Sequence, residues 1–110
     1  MTRSKYGAVR TTIDGITFAS KAEARRYAEL LLLARAGEIR GLELQPRFEL
    51  SVFGYGNDTR IGDYVADFQY QRGPKGVLVI EDVKGVKTAL YRWKKKHVEA
   101  QYNIRITEVA

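Results

Sequence analysis

The chain contains no cysteine, which excludes disulfides and any thiolate metal site. It has a single histidine, His97, so an imidazole-rich metal cluster is excluded too. No apolar run approaches the ~20 residues of a membrane span, and the first residues carry no signal-peptide core. Internal repeats and low-complexity tracts are absent. Acidic residues are in the minority: 13 Asp and Glu stand against 19 Lys and Arg, a net charge of +6. A small basic domain suits a phosphate-backbone partner, although charge alone is weak evidence for one. The chain has 110 residues, 45% apolar and 29% charged, which is ordinary for one globular domain. Two cores in this length would each bury too little surface. The expectation is therefore one domain over 1–110, with a hairpin arm at 1–19 and a core at 20–110.

Asp14-Gly15, flanked by Val9 to Ile13 and by Ile16 to Phe18, predicts a short β-hairpin. Ser20-Lys21-Ala22-Glu23 has capping-box spacing and opens a helix through Ala24, Tyr27, Leu30, Leu31 and Ala34 that stops at Gly37. Leu44 to Val52 reads as a strand with Pro46 near its start, and Gly54 to Gly62 as a hairpin loop. Asp63 to Gln71 alternates as a second strand, with Tyr64, Ala66, Phe68 and Tyr70 on one face and Asp63, Val65, Asp67 and Gln69 on the other. After a turn at 72–76, Val77 to Ile80 reads as a central strand buried on both faces. Thr88 caps a second helix whose buried stripe is Leu90, Trp93, His97 and Ala100, and Asn103 to Val109 is the last strand. Short connections allow the three middle strands to form an antiparallel meander. The last strand returns through a helix and so lies parallel to the one before it. The fold class is α/β, with a mixed central sheet flanked by helices.

Chemistry concentrates where the apolar strand ends, in Glu81-Asp82-Val83-Lys84-Gly85. Alternation puts Asp82 and Lys84 on one face and Glu81 on the other. The bland reading is a local ion pair. In a meander, however, Asp67 sits beside Asp82, and two converging carboxylates repel unless a cation lies between them. A hard divalent ion such as Mg²⁺ is the simplest candidate. Glu23 is both the third capping-box residue and in line with the core stripe of its helix, roles that do not exclude each other. Gln45 could hold a water or a phosphate, or satisfy a buried backbone group. From Lys84 to Val98 there are six basic residues and no acid: Lys84, Lys87, Arg92, Lys94, Lys95 and Lys96. Such a run is either a solvated face or a phosphate-backbone contact. His97, Tyr91 and Trp93 read as core, and Tyr6 and Tyr55 as residues of mobile segments that could touch a ligand.

A helix acid, then Asp on one strand, then (Asp/Glu)-x-Lys on the next, resembles the PD-(D/E)XK nuclease superfamily. Ser20 to Glu23, Gln45-Pro46, Tyr64 to Phe68 and Glu81 to Gly85 are similar in wording to small phage-encoded endonucleases of that superfamily, relatives of the Holliday-junction resolvases. The resemblance implies a restriction-endonuclease-like αβββαβ core. It implies catalytic roles for Glu23, Asp67, Asp82 and Lys84, and Mg²⁺ or Mn²⁺ held by Glu23, Asp67, Asp82 and the Val83 carbonyl. Ala66 stands where the Pro of the superfamily's name would be. The implied activity is hydrolysis of DNA phosphodiester bonds, structure-selective for branched DNA. The alternatives are a non-specific or nicking endonuclease, a non-catalytic DNA-binding module on the same fold, or an α/β adaptor. Paired cuts at a junction require a homodimer. Expected DNA contacts are Arg3, Lys5, Lys21, Gln45, Lys87, Arg92, Lys95 and Lys96. The expected compartment is the cytoplasm, that of a bacterial host if the protein is phage-encoded.

Overall fold

The computed structural model describes residues 9–110. Arg3 and Lys5, expected to touch DNA or a partner, and Tyr6, expected to touch a ligand, lie outside the described residues. The elements run β1 (Thr11–Ile13), β2 (Ile16–Phe18), α1 (Lys21–Arg35), β3 (Ile39–Leu44), β4 (Arg47–Gly54), β5 (Asn57–Val65), β6 (Phe68–Arg72), β7 (Val77–Val83), α2 (Ala89–Tyr102) and β8 (Ile106–Val109). This is an α/β fold with the expected N-terminal hairpin, two helices and a mixed sheet. The central sheet has the order β3-β6-β7-β8. Its first three strands are antiparallel, and β8 joins β7 in parallel after the α2 crossover.

Local chemistry explains the element ends. The Ser20 side chain accepts from the Glu23 N–H at 3.1 Å, as the capping-box spacing predicts. Past the end of α1, Gly37 at φ 77° takes the left-handed conformation that lets the chain turn back, and Glu38 N–H bonds to Leu33 O at 3.0 Å. Thr88 caps α2 through the Tyr91 N–H at 3.1 Å.

Two expected strands are each broken in two. The predicted strand at 44–52 breaks at Gln45-Pro46, where Gln45 has φ 51°: its body is β4, while β3 occupies residues 39–44, of which only Leu44 was expected as strand. The predicted strand at 63–71 is divided between β5 and β6 at Ala66-Asp67. The breaks face each other: Gln45 N–H bonds to Asp67 O at 2.9 Å and Ala66 N–H to Pro46 O at 3.1 Å. Beyond them β4 and β5 leave the sheet as a separate two-stranded ribbon. The expected loop at 54–62 is therefore mostly strand, turned by Tyr55 (φ 51°) and Gly56 (φ 76°), the paired positive angles of a tight hairpin turn.

The breaks also exchange faces. Tyr64 and Ala66 enter the core under α2, with Leu50, Ile80, Tyr91, Val98 and Ile106. Phe68 and Tyr70 enter the core under α1, with Phe18, Tyr27, Leu30, Ile39 and Val83. Strict alternation had put all four on one face. The strand β7 is buried only from Ile80 to Val83, and Val77 and Leu78 are exposed. On α2 the buried residues are Tyr91 and Val98, while Leu90, Trp93 and Ala100 are exposed and His97 is half-buried. The helix is thus turned by about a third of a turn from the predicted stripe. Tyr91 is the better core residue there because its ring packs inward while its hydroxyl reaches Glu108 Oε2 at 2.8 Å.

Candidate active site

The site lies at the end of the sheet where β5 breaks from β6. Phe68 pairs with Glu81, so Asp67 falls opposite Asp82. Asp67 N–H bonds to Glu81 O at 3.0 Å, and Asp67 Oδ2 accepts from Val83 N–H at 2.7 Å. Val83 thus meets Asp67 through its N–H. Asp82 is 1% exposed. The Tyr64 hydroxyl donates to its Oδ2, and Lys84 Nζ lies 3.3 Å from its Oδ1. The same ammonium sits 4.6 Å from the centre of the Tyr91 ring, a cation–π contact that further fixes it.

Glu81 points to the opposite face, as alternation predicts. Arg26 of α1 grips it in a bidentate pair at 2.8 and 2.7 Å, and the Tyr70 hydroxyl donates to the same carboxylate. Burial alone would raise its pKa, but Arg26 and Tyr70 outweigh burial and hold it below the ordinary glutamate value. Glu81 is thus a neutralised structural acid under α1, and Asp82 is the acid of the cleft.

Glu23 reaches the site from the α1 face. It lines a cleft of about 160 Å³ with Ile16, Phe18, Gln45 and Asp67. Its pKa is raised by burial and by Asp82, against the backbone of Ala19 and the charge of Lys84. Asp67 is raised to about 8, mainly by burial, with Glu23 and Asp82 adding like charge and the Val83 N–H opposing. Glu23 from α1, Asp67 from the break between β5 and β6, and Asp82 from β7 therefore influence one another electrostatically. Asp67 is committed to Val83, and Asp82 to Tyr64 and Lys84. Among the described residues no three Asp, Glu or His side chains form a ready-made metal cage. The donor chemistry nonetheless fits a hard cation: the side chains offer oxygen ligands only, and crowded like charges raise the pKa of Asp67.

Asp82 and Lys84 line a second cleft of about 310 Å³ with Asp63, Tyr64, Thr88, Leu90, Tyr91 and Lys94. Of these residues only Asp82 and Lys84 were expected at the site. Tyr64 read only as a core aromatic, and nothing in the sequence marks its hydroxyl. Lys94 belonged to the basic run, but its place in the cleft, with Nζ 2.9 Å from Asp63 O, follows from the rotation of α2. Of the expected DNA contacts, Gln45 is exposed beside Asp67 and Lys21 is exposed in the first turn of α1. Lys87, Arg92, Lys95 and Lys96 gather around a different depression, with Glu108. Lys87 pairs with Glu108 at 3.3 Å and Lys95 with Glu99 at 3.8 Å, so part of that charge is locally balanced.

No helix of the described residues is long and apolar enough to cross a membrane. No curated protein and no solved structure matches the chain. A family model described as "Protein of unknown function (DUF1064)" matches residues 3–110, and the chain belongs to that family.

Proposed function

We propose that the protein is a metal-dependent DNA endonuclease of the PD-(D/E)XK type, acting on branched DNA such as Holliday junctions as a homodimer. The observation that carries this reading is the convergence of Asp67, Asp82 and Lys84 at one sheet end, with Glu23 entering from α1. Asp67 and Asp82 would hold Mg²⁺ or Mn²⁺, with Glu23 as the third carboxylate. The chemistry such an ion supplies is polarisation of a phosphoryl oxygen and a lower pKa for water.

The chain's own residues do the rest. Tyr64 pins the Asp82 carboxylate in one orientation by its hydroxyl. Lys84, held between Asp82 and the Tyr91 ring, orients the attacking water and offsets negative charge that grows on the phosphate. Gln45, which lines the Asp67 cleft, would donate to a phosphate oxygen.

The test is cleavage of a labelled four-way junction, matched duplex and single strand, in Mg²⁺ and in EDTA. We expect metal-dependent, symmetric cuts in the junction that vanish with Asp82→Ala. Lys84→Ala should slow them by about 100-fold or more. Cutting that survives Asp82→Ala but is lost in a folded Glu81→Gln protein would mean that the wrong acid has been assigned. DNA binding without any cutting in Mg²⁺ or Mn²⁺ would leave a non-catalytic binding module.

A further inference from the structure

Trp93 is the only tryptophan in the chain, and the helical pattern of α2 would bury it, yet it is 54% exposed. Leu90, one turn earlier, is 62% exposed and lines the cleft that contains Asp82, Lys84 and Lys94. The indole is not loose. It leans on the His97 ring, with centroids 5.7 Å apart and planes at 43°, and His97 Nε2 is tied to Ser51 O at 2.9 Å. Helical geometry puts Lys94 one turn beyond Leu90 on the cleft side of this stripe, and Lys96 next to Trp93 on the other. No acidic residue lies between Lys84 and Val98.

A propped, half-exposed indole on a helix that carries Arg92, Lys94, Lys95 and Lys96 suits one occupant well. Single-stranded nucleic acid offers a flat apolar base for the ring and phosphates for the flanking lysines. A second copy of this chain would bring the same positive charges against each other. We infer that Trp93 is a stacking platform for an unpaired nucleotide of the DNA substrate. It lies one helical turn from the cleft, so the preferred substrate carries a single-stranded or opened segment next to the bond that is cut. This deepens the nuclease reading and rests on it.

Because Trp93 is unique, its own fluorescence reports the contact. Wild-type protein in EDTA is titrated with a single-stranded oligonucleotide, a four-way junction and a fully paired duplex, each dye-labelled so that anisotropy measures binding in parallel. We expect quenching by the single strand and the junction and little by the duplex. Trp93→Leu should bind the single strand about 10-fold more weakly with duplex binding unchanged, and Trp93→Phe should restore most of the loss. Circular dichroism shows whether the Leu variant is folded; if it is not, the wild-type quenching pattern decides. Binding by anisotropy with no quenching, or equal quenching by duplex, overturns the proposal. So does a tryptophan spectrum that responds to protein concentration and not to DNA, which would mean that a second copy covers the stripe. Metal-dependent cleavage without quenching overturns the stacking role alone, whereas absence of binding to every DNA overturns the nuclease reading with it.

Discussion

Asp67 is the residue at which the site's electrostatics are most exposed to experiment. Its pKa in the folded protein, about 8, lies above its ordinary value of 3.8, because burial and the charges of Glu23 and Asp82 disfavour the carboxylate. A raised carboxyl stabilises the folded state while protonated, and that contribution is complete below the unfolded value. It is lost as pH climbs through the folded value. Glu23 shifts in the same direction. Glu81, Asp63 and Glu108 are lowered, so their contributions are lost only in acid. Without a divalent cation, the denaturation midpoint should therefore fall between about pH 5.5 and about pH 8.5. Asp67→Asn, which keeps an oxygen for the Val83 N–H, should flatten that slope. Urea melts in EDTA across this range check it, and a wild-type midpoint that rises through the window would contradict the assigned crowding. The neighbouring acids of Glu81-Asp82 show how much one residue of register matters: the first is neutralised by Arg26 and the second is left facing the cleft.

Among the elements, α1 ties the core to the site. Its inner face buries Ala24, Tyr27 and Leu30 against the sheet, and its first turn presents Glu23. The Ser20 cap fixes where that turn begins. Ser20→Ala should lower stability by about 1 kcal/mol, measured by chemical denaturation. It should also weaken metal-dependent activity more than an equally destabilising change at the far end of the helix. The legibility of elements differed for physical reasons. Both helices, their caps and the parallel return of β8 followed from capping residues, glycines and periodicity, whereas β3, the first strand of the central sheet, was not expected apart from Leu44. The breaks at Gln45-Pro46 and Ala66-Asp67 did not follow, because alternation continues through each break in the sequence while the chain changes face. The rotation of α2 was also hidden. Two stripes compete on that helix, Leu90-Trp93-His97 and Tyr91-Val98, and lysine stems can border either.

On the scale of the whole molecule, the extents are 47 × 40 × 22 Å, a flat body with the β4–β5 ribbon paired apart from the central sheet. The net charge of +6 favours a polyanion over this body, but local acids balance part of it, as at Lys87 and Lys95. Affinity for DNA should fall steeply with salt. Lys96→Ala should reduce the slope of log affinity against log salt by about 1, and change at the already paired Lys87 should reduce it less. Anisotropy titrations over a salt series measure both, and identical slopes for the two variants would count against a free Lys96 and a paired Lys87.

The sequence by itself determined the α/β class, the N-terminal hairpin, both helix starts, the parallel return of β8, and the parity that separates Glu81 from Asp82 and Lys84. Those features are local: a cap, a turn or an alternation is written in a few adjacent residues. Only the tertiary structure decided that Tyr64 orients Asp82, that Arg26 neutralises Glu81, that Lys94 joins the cleft and that Trp93 faces outward. Each depends on the angle at which one element meets another. That angle is set by two cores packing on opposite faces of one sheet, which no single segment encodes.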